Sequence, residues 1–269
     1  MMTENIIVVS SGLGTNSTAL LAGMHERGER PDYITFADTE GEKPGTYKHL
    51  EALNTWLLSV GFPTTTVVKG SQPAQVRRGS LEAECLELGV LPSKAYGFGT
   101  CSQKWKIGPQ DKFDRALAKR LGVPTSNITR LIGFDAGEPG RAERAIIFGS
   151  KTGVAQRFPL IEWGWGRAEC VEAIRRAGLT QPGKSACFFC PSSRKTEVLW
   201  LRDNHPDLLE RALVMERRAL AGEGRAPAFK GKGLGRHWNW EELVNASPAQ
   251  QERISEEGMP SCDCGCYDG

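Results

Sequence analysis

The opening of the chain constrains its fold more than any other stretch. Ile6-Ile7-Val8-Val9 is an apolar, β-branched run, and Ser10-Ser11-Gly12-Leu13-Gly14-Thr15-Asn16-Ser17 breaks it with small and hydroxyl-bearing residues. Thr18-Ala19-Leu20-Leu21 then starts a helical pattern. A strand that turns through glycines straight into a helix offers backbone N–H groups to an anion. Gly12 and Gly14 let the backbone approach closely, while Ser11, Thr15, Ser17 and Thr18 add hydroxyls. The guest expected of such a turn is a phosphate or a sulfate. No Gly-Lys-Ser/Thr follows, so the turn is not a Walker A loop. The third glycine of the dinucleotide fingerprint would fall at Ser17, which excludes that motif too. An ordinary glycine-containing βα turn has the same outline.

Apolar runs near 5–10, 33–38, 64–69 and 129–134 predict strands. Helical patterns fall near 16–28, 44–60, 110–121, 167–178 and 192–220, the last with a break before Pro206. This alternation predicts an α/β fold with a parallel, doubly wound sheet, whose ligands sit at the carboxyl ends of the strands. Two regions are expected: a nucleotide-binding domain over 1–180 with an insertion at 70–108, and a cysteine-bearing helical region over 181–269 with a flexible tail. The glycine-rich, basic stretch 221–238 reads either as a loop over an anionic ligand or nucleic acid, or as a solvated linker.

The chain has 269 residues and a formal net charge of +2, so a broadly cationic nucleic-acid surface is not required. No N-terminal apolar stretch has the length of a signal or membrane helix, and a cytoplasmic location is expected. Eight cysteines in such a compartment call for metal binding or redox chemistry rather than disulfides. Cys187-Phe-Phe-Cys190-Pro191 has the spacing that chelates one metal or one cluster. Zinc held by Cys101, Cys187, Cys190 and His205 is one ligand set. Cys85 and Cys170 lie in helical patterns and read as buried.

The first turn resembles the PP-loop of the ATP pyrophosphatase and phosphoadenylylsulfate (PAPS) reductase superfamily. Ser11, Gly12, Gly14, Asn16 and Ser17 match its looser form, while Leu13 replaces a glycine and Asn16 stands where many members carry Asp. Thr35-Phe36-Ala37-Asp38-Thr39-Glu40, Gly133-Phe134-Asp135-Ala136-Gly137-Glu138-Pro139-Gly140-Arg141-Ala142 and Phe158-Pro159-Leu160-Ile161-Glu162-Trp163 look like further stretches of PAPS-reductase-like proteins. The resemblance implies a Rossmann-like sheet of the adenine nucleotide alpha hydrolase type. It implies phosphate contacts at Ser10 to Ser17 and adenine and ribose contacts near Asp38 and Thr39, with Gly133 and Asp135 as further nucleotide-binding residues. Lys104, Lys106, Arg141 and Arg144 are candidate phosphate-binding cations by their charge, Lys104 and Arg141 foremost. Mg²⁺ is a possible companion of Asp38, Asp135 or Glu138.

The assimilatory adenylylsulfate reductases hold a 4Fe–4S cluster with a Cys-Cys pair and a later Cys-x-x-Cys. Here the pair is reduced to Cys101-Ser102, which leaves the fourth ligand open among His205, Cys170, Cys262, Cys264 and Cys266, or an open iron site. Cys262-Asp263-Cys264-Gly265-Cys266 resembles in part the C-terminal motif of PAPS reductases, which implies Cys264 as a nucleophile recycled by a thioredoxin-like reductant. Two reactions follow from the resemblance. One reduces phosphoadenylylsulfate or adenylylsulfate to sulfite. The other adenylylates a tRNA base or DNA with ATP, releases pyrophosphate and inserts sulfur. A zinc-stabilised nucleic-acid-binding module is the non-enzymatic alternative.

Overall fold

The computed structural model describes residues 5–70, 79–149 and 152–256. Five parallel strands form one sheet: β1 (Ile6–Ser11), β2 (Tyr33–Asp38), β3 (Thr65–Lys69), β4 (Ile128–Ile132) and β5 (Ala155–Arg157). They lie in the order β3-β2-β1-β4-β5. Val8 pairs with Tyr33 on one side of β1 and with Arg130 on the other. The chain runs outward from β1 to β3 and then returns to β4 on the opposite flank. The strand order therefore reverses between β1 and β4, which opens a crevice at their carboxyl ends. This is a Rossmann-like, doubly wound parallel sheet.

The helices are α1 (Thr15–Glu26), α2 (Pro44–Ser59), α3 (Leu81–Leu88), α4 (Thr100–Ser102), α5 (Gly108–Leu121), α6 (Pro139–Gly149), α7 (Pro159–Glu162), α8 (Arg167–Arg176), α9 (Lys195–Asn204), α10 (Pro206–Ala221), α11 (Trp240–Asn245) and α12 (Pro248–Glu256). The expected break before Pro206 separates α9 from α10. Proline at the first turn suits α2 and α10, since it has no N–H to leave unpaired. α3 starts at Ser80, whose hydroxyl accepts the Ala83 N–H at 3.1 Å, and stops at Gly89 with φ 65°.

Alternation along the strands assigns the two faces. Val9, Ile34, Phe36 and Leu131 face α1, α2 and α8 in one core with Leu20, Leu21, Leu53, Leu57, Cys170 and Ile174. Val8 and Ile128 face α5 through Leu117 and Ala118. Arg130 emerges on that second face and is 2% exposed. Its guanidinium pairs with Asp114 and, at 2.8 Å, with Asp111, so α5 is fixed to the sheet by ions as well as by packing.

A second core lies outside the sheet. Leu81, Cys85, Leu91 and Trp105 pack with Phe188, Phe189, Val198, Leu213 and Trp240. The 81–105 part of the expected insertion thus shares its interior with the C-terminal helices. The stretch 221–238 is pinned along its length rather than running as a loose linker. The Ala226 N–H donates to the Leu88 carbonyl at 3.0 Å, and the Phe229 N–H to Ala219 at 2.8 Å. The buried Glu216 carboxylate accepts the N–H groups of Leu234 at 2.6 Å and Glu241 at 3.0 Å. Among the described residues no helix is long and apolar enough to cross a membrane.

Candidate functional site

The bend after β1 is the first half of the site. Leu13 adopts φ 62°, and the Ser11 hydroxyl accepts its N–H at 3.2 Å. Gly14 is the N-cap of α1 in extended conformation and has no side chain to cap the helix. The first N–H groups of the helix, from Thr15 to Ser17, have no acceptor within it, because the Thr18 N–H is the first to reach back, to Gly14 at 3.1 Å. A side-chain-free cap and an unfilled first turn make an anion seat. Gly12 is partly accessible, whereas Ser11, Thr15, Asn16 and Ser17 are buried. Ser10 lies outside this seat: its hydroxyl donates to Gln110 of α5.

The loop after β4 closes the crevice. A Cβ on Gly133 would lie 2.9 Å from the Asn16 backbone, so only glycine lets β4 end this close to α1. The Asn16 amide donates to Asp135 at 3.2 Å and to Glu138 at 3.0 Å. Its oxygen accepts from Arg167 at 3.5 Å. This explains the departure at position 16. An aspartate there would set three carboxylates against one another, and the asparagine amide instead latches two of them. Arg141 pairs with Glu138 and lies 4.6 Å from the Phe134 ring.

The second half of the site is assembled from three distant segments. The Cys187–Cys190 turn is stitched to the chain just after β2: the Phe188 N–H donates to Gly41 at 2.8 Å, and Glu42 bridges to Cys187. Within the turn the Cys190 N–H reaches the Cys187 carbonyl at 3.0 Å. Cys101 lies in the short helix α4, with its N–H held by the Ser93 hydroxyl at 2.7 Å. α4 runs into α5 through a π-helical turn, Gln103–Ile107, that carries Lys104, Trp105 and Lys106. Cys101, Cys187 and Cys190 line one cleft together with Thr39, Lys106 and Lys184.

Thr39 follows β2 directly and brings this cleft to the carboxyl edge of the sheet. Its hydroxyl lies 3.1 Å from the Cys187 sulfur. Burial first, and then the Glu42 carboxylate, push the Cys187 thiol well above the ordinary value. Lys106 Nζ pairs with the fully buried Glu42 side chain at 3.1 Å, and the Ser185 hydroxyl donates to Glu42 at 3.3 Å. Lys106 and Lys184 had no distinguishing motif in the sequence beyond their nearness to the cysteines. Lys184 was found only through the fold.

The remaining expected residues fall elsewhere. Lys104 pairs with Glu84 and does not line the cleft; Lys106, two residues on, does. Asp38 accepts the Glu40 N–H at 2.7 Å and the Tyr47 hydroxyl at 2.9 Å, which fixes the turn after β2. Burial, and next the Asp38 charge, push the Tyr47 phenol up. His205 joins α9 to α10 with its ring 5.3 Å from Trp200, and it is not among the residues lining the cysteine cleft. Cys170 is buried in the sheet core, where burial pushes its thiol up to about 12. Cys264 lies outside the described residues, as do Cys262 and Cys266. Among the described residues, no three His, Cys, Asp or Glu side chains are gathered closely enough to hold one metal ion.

No family model matches the chain, and no curated protein matches it. Among solved structures, the U34-tRNA thiolase NcsA from Methanococcus maripaludis with its 4Fe–4S cluster is similar at 13% identity and a TM-score of 0.39, over 96% of this chain and 83% of that chain. The similarity is remote, and an overlap this loose carries no inference about chemistry.

Proposed function

We propose that this protein is an ATP-dependent sulfur-transfer enzyme: it adenylylates an acceptor, releases pyrophosphate and replaces the activated oxygen by sulfur. The observation that carries the reading is the meeting of three cysteines from two distant segments in one cleft, beside Thr39 at the edge where the β1–α1 bend offers its anion seat. Reduction of PAPS by a single mobile thiolate is the less favoured reading. Its expected nucleophile, Cys264, lies outside the described residues, whereas Cys101, Cys187 and Cys190 meet in the cleft. A buried, reluctant thiol suits a coordinating role, because a metal centre removes its proton outright.

Three thiols, of Cys101, Cys187 and Cys190, line the cleft, one fewer than the four donors of a closed zinc site. A cluster takes one thiolate at each of several separate irons, so three thiols spread round a cleft can hold it. A 4Fe–4S cluster bound by Cys101, Cys187 and Cys190 would supply an iron position without a protein ligand for exogenous sulfide.

The chain's own residues perform the rest. The N–H groups of α1's first turn hold the triphosphate, and the helix dipole favours the charge that builds up on pyrophosphate as it leaves. An acceptor oxygen attacks the α-phosphorus, forming one P–O bond while the bond to pyrophosphate breaks. Hydrosulfide then attacks the activated atom, AMP leaves with the oxygen, and the sulfur proton passes to solvent. Lys106 and Lys184, ion-paired with Glu42 and Glu197, line the cleft that receives the sulfur donor.

Anaerobically reconstituted protein given ATP, sulfide and polynucleotide should release pyrophosphate and AMP and incorporate sulfur. Cys187→Ala should lose bound iron and sulfur incorporation while still binding ATP. Sulfite release from PAPS, with no pyrophosphate formed from ATP, would replace this reading by the reductase one.

A further inference from the structure

A second cavity, of about 300 Å³, opens between the start of α2 and α9. Its size lies at the lower end of the range found for small-molecule sites, about 300–1,000 Å³. Leu13 forms part of its wall, so it abuts the anion-binding bend from the side. Lys184 lines both this cavity and the cysteine cleft. The cavity therefore touches both halves of the proposed site, and the reaction described above assigns it no task.

Its lining has two chemical features. The first is a flat aromatic surface: Trp200 on α9 is 47% exposed, whereas Trp105 and Trp240 are almost fully buried and the remaining tryptophans are partly buried. The second is positive charge. Lys43 sits at the N-cap of α2, a helix of 16 residues with no side-chain cap, and its Nζ lies 5.9 Å from the Trp200 ring centre. Lys184 adds a second cation, and Glu197, 3.0 Å from it, is the one carboxylate in the lining. His49 closes the floor as a buried ring whose Nε2 lies 2.9 Å from the Thr18 hydroxyl.

We infer that this cavity seats one nucleotide of a polynucleotide acceptor, with its base stacked on Trp200 and its phosphate at Lys43. An aromatic face takes any nucleobase, and a cation beside it takes the backbone. The inference rests on the adenylylation reading above and adds the acceptor's place in it. A base held here lies against Leu13 on one side and Lys184 on the other, so the atom to be modified faces both the nucleotide and the cysteine cleft. The base is assigned to the acceptor because Lys184 joins this cavity to the cysteine cleft.

The test uses the full chain, with labelled single-stranded RNA and DNA oligonucleotides read by fluorescence anisotropy and ATP read by calorimetry. Trp200→Ala should weaken binding of one or both oligonucleotides by about tenfold, and Trp200→Phe, which keeps a flat ring, should recover most of it. Lys43→Gln should lower the slope of log affinity against log salt by about one phosphate contact. ATP affinity should be the same in the wild type and in both Trp200 variants. Oligonucleotide affinity unchanged in Trp200→Ala, or no oligonucleotide binding by the wild type, would overturn the assignment. So would ATP affinity falling in step with the loss of Trp200, since the cavity would then hold ATP's own base. A Gly14→Val chain that still binds ATP would instead remove the adenylylation reading, and that result leaves the oligonucleotide measurements untouched.

Discussion

The two halves of the site are built in opposite ways. The anion-binding bend comes from one continuous stretch, Ser11 to Thr18, and uses mainly backbone: a cap without a side chain, a residue at φ 62° and a first turn of free N–H groups. The cysteine cleft draws Cys101 from a short helix, Cys187 and Cys190 from a turn, and Thr39 from just after a strand. The bend is held by glycines and a latch of hydrogen bonds across the crevice. The cleft is held by a buried ion pair and by the second core. Local sites of the first kind survive changes in distant packing, whereas assembled sites of the second kind depend on it.

Lys106→Met gives the largest expected effect and strikes the assembled half. It leaves the buried Glu42 charge without its cation, and breaking a pair of this kind costs about 3 kcal/mol. Chemical denaturation should show that loss, while ATP binding to the remaining folded protein stays at the wild-type value. If ATP binding collapsed in the folded fraction, the two halves would not be separable.

Asn16→Asp strikes the bend. It replaces an amide that donates to Asp135 and Glu138 with a third carboxylate. The expected cost is about 2 kcal/mol, and it should shrink in acid as the carboxylates take up protons. Stability equal to the wild type at neutral pH would mean that the latch across the crevice contributes nothing.

His49→Gln sharpens the contrast with the smallest change. Burial lowers the His49 imidazole below its ordinary 6.5, so the folded state favours the neutral ring. The stability this group contributes is present above that ordinary value and is lost as pH falls through the lowered one. The glutamine variant has no such proton to take up. Its denaturation midpoint should therefore fall less than the wild type's between pH about 7.5 and about 5. An equal fall would mean that His49 is already charged beside Thr18.

The same contrast explains what could be read in advance. The strands β1 to β4, the bend and the break before Pro206 were legible because each is written in adjacent residues: apolar runs, glycines and a proline. The edge strand β5 was not, since Ala155-Gln156-Arg157 is three residues long with no apolar run. Cys187 and Cys190 were legible from their spacing, and Cys101 from a resemblance. The places of Lys184 and Trp200 in the cavity walls were not, because they depend on which helices meet and no local pattern sets them apart from surface residues. Lys104 and Lys106 show the limit most clearly. They are two residues apart in one turn, and the geometry of that turn alone sends the second into the cleft.

The central claim is that the first turn of α1 grips the anionic tail of ATP. Gly14 has the extended backbone of φ −97° and ψ −175°, which valine also adopts, so Gly14→Val places a branched side chain where the phosphates approach without needing a left-handed backbone, at the cost of a poorer helix cap. Calorimetric titration of ATP into the wild type and this variant tests the claim directly. The account predicts clear binding heat for the wild type and none for the variant, with circular dichroism showing the variant folded. Equal ATP affinity in the two would contradict it.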